Sequence, residues 1–166
     1  MELLLDEHGE AEVRRQWAVL AEAGIGSPRG ATHRPHVTVA VAREIWPRID
    51  HALARIEFRP LPIRLGGLLV FGARRPILVR PVVVTEELLA LQRRVHHLVR
   101  PCPGIPATMA PDAWTPHVTL ARRVPPERLG AAIGAVATDH DFSTVVVGIR
   151  RWDGDARQER LVVGGR

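Results

Sequence analysis

Two short segments of this chain carry the residue types needed for proton transfer at phosphorus. They are Pro35-His36-Val37-Thr38-Val39-Ala40 and Pro116-His117-Val118-Thr119-Leu120-Ala121. The two agree at five of six positions and lie 117 − 36 = 81 residues apart, about half of a 166-residue chain. Alternate side chains of a β-strand share a face, so His36 and Thr38 point one way with Ala40, while Val37, Val39 and Val41 point the other. His117 and Thr119 are disposed identically against Val118 and Leu120. One neutral imidazole can take the proton of an attacking water or hydroxyl while a second, as imidazolium, protonates the leaving oxygen. An ordinary histidine pKa of about 6.5 lets one pair supply both forms near neutrality. The threonine hydroxyls can donate to the non-bridging oxygens and hold the phosphate in line between the rings. This chemistry needs neither metal nor cofactor. A single His-x-Thr is an ordinary strand sequence, but a valine-rich strand has no folding need for histidine on its polar face, twice.

The elements that must position these residues repeat as well. The apolar pattern predicts a strand over residues 1–6, a helix over 11–23, a Gly/Pro/Arg loop over 26–35, the first histidine strand over 36–42 and a helix over 43–56. An extended segment broken by prolines follows over 58–70, with a turn at 72–75. The second half reads the same way. It has a β-branched strand over 77–84, a helix over 85–99, a Pro-rich loop over 101–116, the second histidine strand over 117–124, a helix over 126–137, and strands near 142–150 and 160–163. The order therefore describes an internal duplication within one domain, residues 1–166. The valine faces require helices as cover, and the His-Thr faces are left to line a common cleft.

Composition narrows the classes. A hydrophobic content of 46% fits one compact soluble domain. The acidic start, Glu2 and Asp6-Glu7 around a short apolar run, is unlike a basic signal peptide, and Arg or Pro interrupts every apolar run before membrane-spanning length. A lone cysteine, Cys102, leaves no intramolecular disulfide or multi-cysteine zinc site and agrees with a cytoplasmic protein. The net charge of +5 favours anionic partners, although all 23 basic residues are arginine, a bias that also reflects composition. His33 and His36 have a metal-like spacing, but a catalytic zinc normally takes three protein ligands and no compact cluster accompanies them, so no metal is expected. Phe71 and Trp114 are candidates for stacking on a base, with core packing as the alternative for each. Of Arg122 and Arg123, strand alternation places Arg123 on the face of His117.

The paired motifs His36-Val37-Thr38-Val39 and His117-Val118-Thr119-Leu120 resemble those of the two-histidine phosphoesterase superfamily, in its 2'-5' RNA ligase and RNA 2',3'-cyclic phosphodiesterase branch. The stretch from Phe71 through Arg75-Pro76 to Val79 is similar to a segment of that branch, with Val79 standing where its members would carry tryptophan. The resemblance implies an α+β fold, bilobal and pseudo-two-fold duplicated, with two antiparallel-rich sheets facing a central cleft and helices outside. It also implies His36 and His117 as the acid/base pair, Thr38 and Thr119 as phosphate ligands, Arg122 rather than Arg123 beside them, and no cofactor. The activity implied is opening of an RNA 2',3'-cyclic phosphate to the 2'-phosphate and/or reversible 2'-5' ligation at an RNA terminus; the sequence leaves the oligomeric state open, with a monomer favoured. A cyclic phosphodiesterase for a small nucleotide such as ADP-ribose cyclic phosphate, and a non-catalytic RNA-binding module, are the competing functions.

Overall fold

The computed structural model describes residues 1–26, 33–137 and 140–164; the loop expected over 26–35 lies mostly outside these, as does Gly165. Strand β1 (Glu2–Leu5) runs directly into helix α1 (Glu7–Glu22). That helix begins earlier than apolar spacing predicts because Asp6 caps it, its carboxylate accepting from the Gly9 N–H at 2.8 Å. Glu7 and Glu10 in the first turn suit the positive end of the helix dipole. Strand β2 (His36–Thr38) is shorter than expected, and α2 (Pro47–Leu53) starts at Pro47, where a missing N–H costs nothing, rather than at residue 43. Strands β3 (Leu61–Leu65) and β4 (Leu69–Phe71) divide the predicted extended segment at Gly66-Gly67. Strand β5 (Ile77–Pro81) leads to α3 (Glu86–Val99), capped by Thr85. Then come β6 (His117–Ala121), a single 3-10 turn, α4 (Leu129–Val136) and the long strands β7 (Phe142–Asp153) and β8 (Gln158–Gly164).

The α+β, duplicated architecture expected from sequence is the one observed, and its two antiparallel halves are joined edge to edge. Hydrogen bonding runs in the order β3-β7-β1-β2-β6-β5-β4, with β8 on β7, and a bridge from Leu65 to Val82 ties β3 back toward β5 so that the sheet curls. The group β8, β7, β1 and β2 meets its counterpart β4, β3, β5 and β6 at two pairings, Val37 with Val118 and Ile63 with Thr144. In both the partners are 81 residues apart (118 − 37 and 144 − 63), the spacing of the histidine motifs. The pseudo-two-fold axis therefore runs through both pairs.

Helices α1 with α4, and α2 with α3, pack as pairs on one face of the sheet. That face carries Leu3, Val37, Val118 and Ile149, all at 0% exposure, which is why the valine side of each motif is so strictly apolar. Among the described residues no helix is long and apolar enough to cross a membrane.

Candidate active site

Strand pairing puts the polar faces of both motifs on the side of the sheet away from the helices. The antiparallel match of Val37 with Val118 sets His36 beside Thr119 and Thr38 beside His117. The histidines thus lie on a diagonal, where Cα atoms in a regular sheet are about 7–8 Å apart, room for a phosphate between them. Past that match the two strands part, and indoles take up the freed carbonyls. Trp114 donates to the Thr38 carbonyl at 2.9 Å and Trp17, from α1, donates to the Thr119 carbonyl at 3.0 Å. This is the physical reason β2 is short: its ladder is replaced by an indole. The main chain of each motif threonine is held by a rigid aromatic group, while the hydroxyls of Thr38 and Thr119 bond to no other described residue.

The rings are oriented alike. His36 Nδ1 lies 2.8 Å from the Arg34 carbonyl and His117 Nδ1 lies 2.7 Å from the Thr115 carbonyl. A carbonyl only accepts, so each Nδ1 carries a proton and each Nε2 is the nitrogen left for chemistry. The Arg34 carbonyl is itself anchored, since the Arg34 guanidinium binds Glu10 of α1 at 2.7 Å. Burial pushes both histidines below the ordinary imidazole range. At His36 the carboxylate of Glu2 and the Arg34 carbonyl oppose that drop, while Arg150 and Arg122 add to it; at His117 the Thr115 carbonyl opposes it and Arg122 adds to it.

The structure brings His36, His117, Thr38 and Thr119 together. Arg122 lies close enough for its charge to act on both imidazoles. The strand ends at Ala121 and Arg123 adopts a φ of 55°, so the alternation that pointed to Arg123 does not continue that far. The Phe71 ring meets that of His117 edge-on at 4.9 Å between centroids and forms one side of the site. Trp114 is 7% exposed and part of the hydrophobic core, with its N–H committed to Thr38. The His33 ring lies tilted against Trp17 and edge-on to His36, at 5.4 and 5.8 Å between centroids, and among the described residues no three His, Cys, Asp or Glu come together to hold a metal.

Three participants escaped sequence reasoning. Trp17 reads as plain core from its helical spacing, Glu2 as part of an acidic start, and Arg150 as one arginine among many. Only the alternation of Glu2 with Leu4 in a strand, and of Arg150 with Gly148, hinted that both face the cleft. Arg150 lines a cavity of about 200 Å³ together with Leu4, the strand partner of His36, and with Arg34, Gly148 and Leu161.

A duplicated α+β sheet presenting one His-x-Thr pair from each half to a shared cleft defines the two-histidine phosphoesterase class. The chain belongs to the 2'-5' RNA ligase superfamily, whose family model matches residues 6–157. Among solved structures it is similar to Usb1 of Kluyveromyces marxianus, at 16% identity and a TM-score of 0.52, covering 98% of this chain and 94% of that one. A structure of the same protein with uridine monophosphate gives 17% identity, a TM-score of 0.52, and coverage of 98% and 95%. At such identity the likeness is one of fold. No curated protein matches the chain.

Proposed function

We propose that this protein is a phosphodiesterase that opens an RNA 2',3'-cyclic phosphate to a 2'-phosphate, with 2'-5' ligation as the same ring opening by an RNA 5'-hydroxyl in place of water. The observation that carries this reading is the matched pair of imidazoles. Each is tautomerically fixed through Nδ1 by a backbone carbonyl, and each stands beside a threonine hydroxyl from the other half of the sheet. In the ring-opening direction, water attacks phosphorus and gives its proton to a neutral Nε2. The bond from phosphorus to O3' breaks, and O3' takes a proton from the opposite imidazolium. Thr38, Thr119 and Arg122 bind the non-bridging oxygens as charge builds on them. The cavity beside His36 has the volume for one nucleoside group, and Phe71 offers a ring to a second. The superfamily's name and the uridine monophosphate complex of Usb1 support a ribonucleotide substrate.

The test is turnover of 2',3'-cyclic nucleotides and of a short RNA ending in a cyclic phosphate, with EDTA present, by wild type, His36→Ala and His117→Ala. Wild type is expected to yield the 2'-phosphate, and each variant to lose on the order of 10²- to 10⁴-fold in rate. Cleavage of small cyclic nucleotides alone would move the substrate to a free nucleotide. Binding of the RNA without turnover of any ester would make the domain a non-catalytic reader of RNA ends.

A further inference from the structure

The two halves of the site are matched in their histidines and threonines but not in what stands behind them. In the first half, β1 pairs Glu2 with Thr38; in the second, β5 pairs Val79 with Thr119. Val79 is thus the counterpart of Glu2 across the pseudo-two-fold axis, and a carboxylate on one side answers to a valine on the other. Glu2 Oε1 lies 3.3 Å from Nε2 of His36. Glu2 Oε2 accepts from Arg150 Nε at 2.7 Å, and Arg150 is bound on its other edge by Glu159 of β8. Arg150 is 2% exposed and bound on both edges, so the Glu2 carboxylate is held by a buried, doubly anchored partner.

Hydrogen-bond chemistry makes this asymmetry consequential. Both nitrogens of His36 face oxygens, the Arg34 carbonyl hydrogen-bonded at Nδ1 and the Glu2 carboxylate at ion-pair distance from Nε2, an arrangement that favours the doubly protonated ring against the burial that lowers it. Among the described residues, His117 faces an acceptor only at Nδ1. We infer that Glu2, held by Arg150, is a positioning residue that retains the proton on His36 Nε2 and so assigns the donor role to His36 and the acceptor role to His117.

The inference rests on the phosphoester chemistry proposed above. In the hydrolytic direction the water proton goes to His117 Nε2, the water oxygen bonds to phosphorus, and the bond to the leaving oxygen breaks. That oxygen receives the proton of His36 Nε2, which leaves His36 neutral and His117 protonated until solvent exchange resets the pair. At 3.3 Å the Glu2 carboxylate is an ion-pair partner of His36 rather than a hydrogen-bond acceptor, so the Nε2–H stays open to the leaving oxygen. The other groups facing His36 are Arg150 from β7, Arg122 after β6 and the His33 ring. Of all of these, Glu2 alone contributes negative charge.

Imidazole NMR titrations of substrate-free wild type, Glu2→Gln and Glu2→Asp read the pairing before any turnover. Removing the carboxylate is expected to move the His36 midpoint to lower pH and leave that of His117 in place, whereas Glu2→Asp, which keeps the charge and the Arg150 partner, stays near wild type. Turnover then reads the role, with a 2',3'-cyclic nucleotide, whose alkoxide leaves only when protonated, and a 4-nitrophenyl ester of a nucleoside phosphate, whose phenolate needs no proton. Glu2→Gln is expected to lose about tenfold or more on the first and under about threefold on the second, since only the first draws on the general acid. His117→Ala is expected to lose activity on both. An unmoved His36 midpoint, or equal losses of Glu2→Gln on both esters, would reduce Glu2 to a structural partner of Arg150 and overturn the inference. A shifted midpoint in a protein that cleaves neither ester would instead overturn the phosphoesterase reading and leave the pairing of Glu2 with His36 standing.

Discussion

Arg122 is the residue whose charge bears on both imidazoles at once, and that gives it a signature no other described arginine shares. A cation disfavours a nearby imidazolium, so its removal raises the pKa of His36 and of His117 together. Arg122→Ala is therefore expected to move both limbs of the pH–rate profile to higher pH. Loss of the phosphate contact proposed for Arg122 should also raise KM roughly tenfold. Arg123→Ala should do neither, because the chain turns at its left-handed φ of 55°. Measuring kcat and kcat/KM against pH for the two variants separates them. The four motif residues were legible in the sequence because they recur: a repeat reveals a constraint that one copy hides. Glu2 was not, since its relevance depends on Arg150, a contact made across 148 residues of chain, and no local pattern encodes that register. The disagreement between Arg122 and Arg123 has the same origin, because alternation holds only while the strand lasts and β6 ends at Ala121.

At the scale of elements, α1 carries more of the site than its sequence suggests. It supplies Glu10, which anchors Arg34 and through it the carbonyl that orients His36, and it supplies Trp17, which holds Thr119. Its seat on β7 is tight at Gly9. A Cβ there would stand 1.9 Å from Thr144 Oγ1 and 2.6 Å from Thr144 Cβ, in a residue that is 3% exposed and whose hydroxyl donates to the helix cap Asp6 at 2.7 Å. Gly9→Ala gains helix propensity of up to about 1 kcal/mol, yet overpacking of this kind costs about 1–3 kcal/mol or more. The expected net effect is destabilisation by about 1–2 kcal/mol, read by denaturant unfolding. Thr144→Ala in the same chain should recover only part of it, because Cβ remains. Strong periodicity made the existence and order of α1, α3 and the histidine strands readable. The boundaries that failed have tertiary causes. Strand β2 stops where an indole replaces its partner, α2 waits for Pro47, and α1 starts early because Asp6 caps it.

For the whole molecule, the site and the fold share one electrostatic dependence. Burial holds His36 and His117 below the ordinary imidazole value of 6.5. A group whose folded pKa is depressed binds protons more readily unfolded, so the corresponding stability is fully present above pH 6.5 and is lost as pH falls through the folded value. A second set of groups acts lower on the scale. Burial raises Glu10, but its hydrogen bonds to Arg34 and Arg14 outweigh that and hold it below 4.5; the bond from Arg15 does the same for Glu12. Their contribution is complete above pH 4.5 and disappears as pH drops through their folded values. Acidification also adds positive charge to a chain already at +5, and self-repulsion works in the same direction. Acidification should therefore lower Tm in two stages, the first belonging to the histidines and the second to the carboxylates. Replacing both site histidines by glutamine removes two of the groups behind the first stage while keeping polar side chains in the cleft. Scanning Tm against pH for wild type and the His36→Gln/His117→Gln double variant is expected to show a shallower decline for the variant on first leaving neutrality, and a common slope once the carboxylates titrate. Parallel curves throughout would mean that the imidazoles are solvated well enough to titrate as they do in the unfolded chain. The water-poor setting that keeps a neutral base in this cleft near neutral pH would then be absent as well.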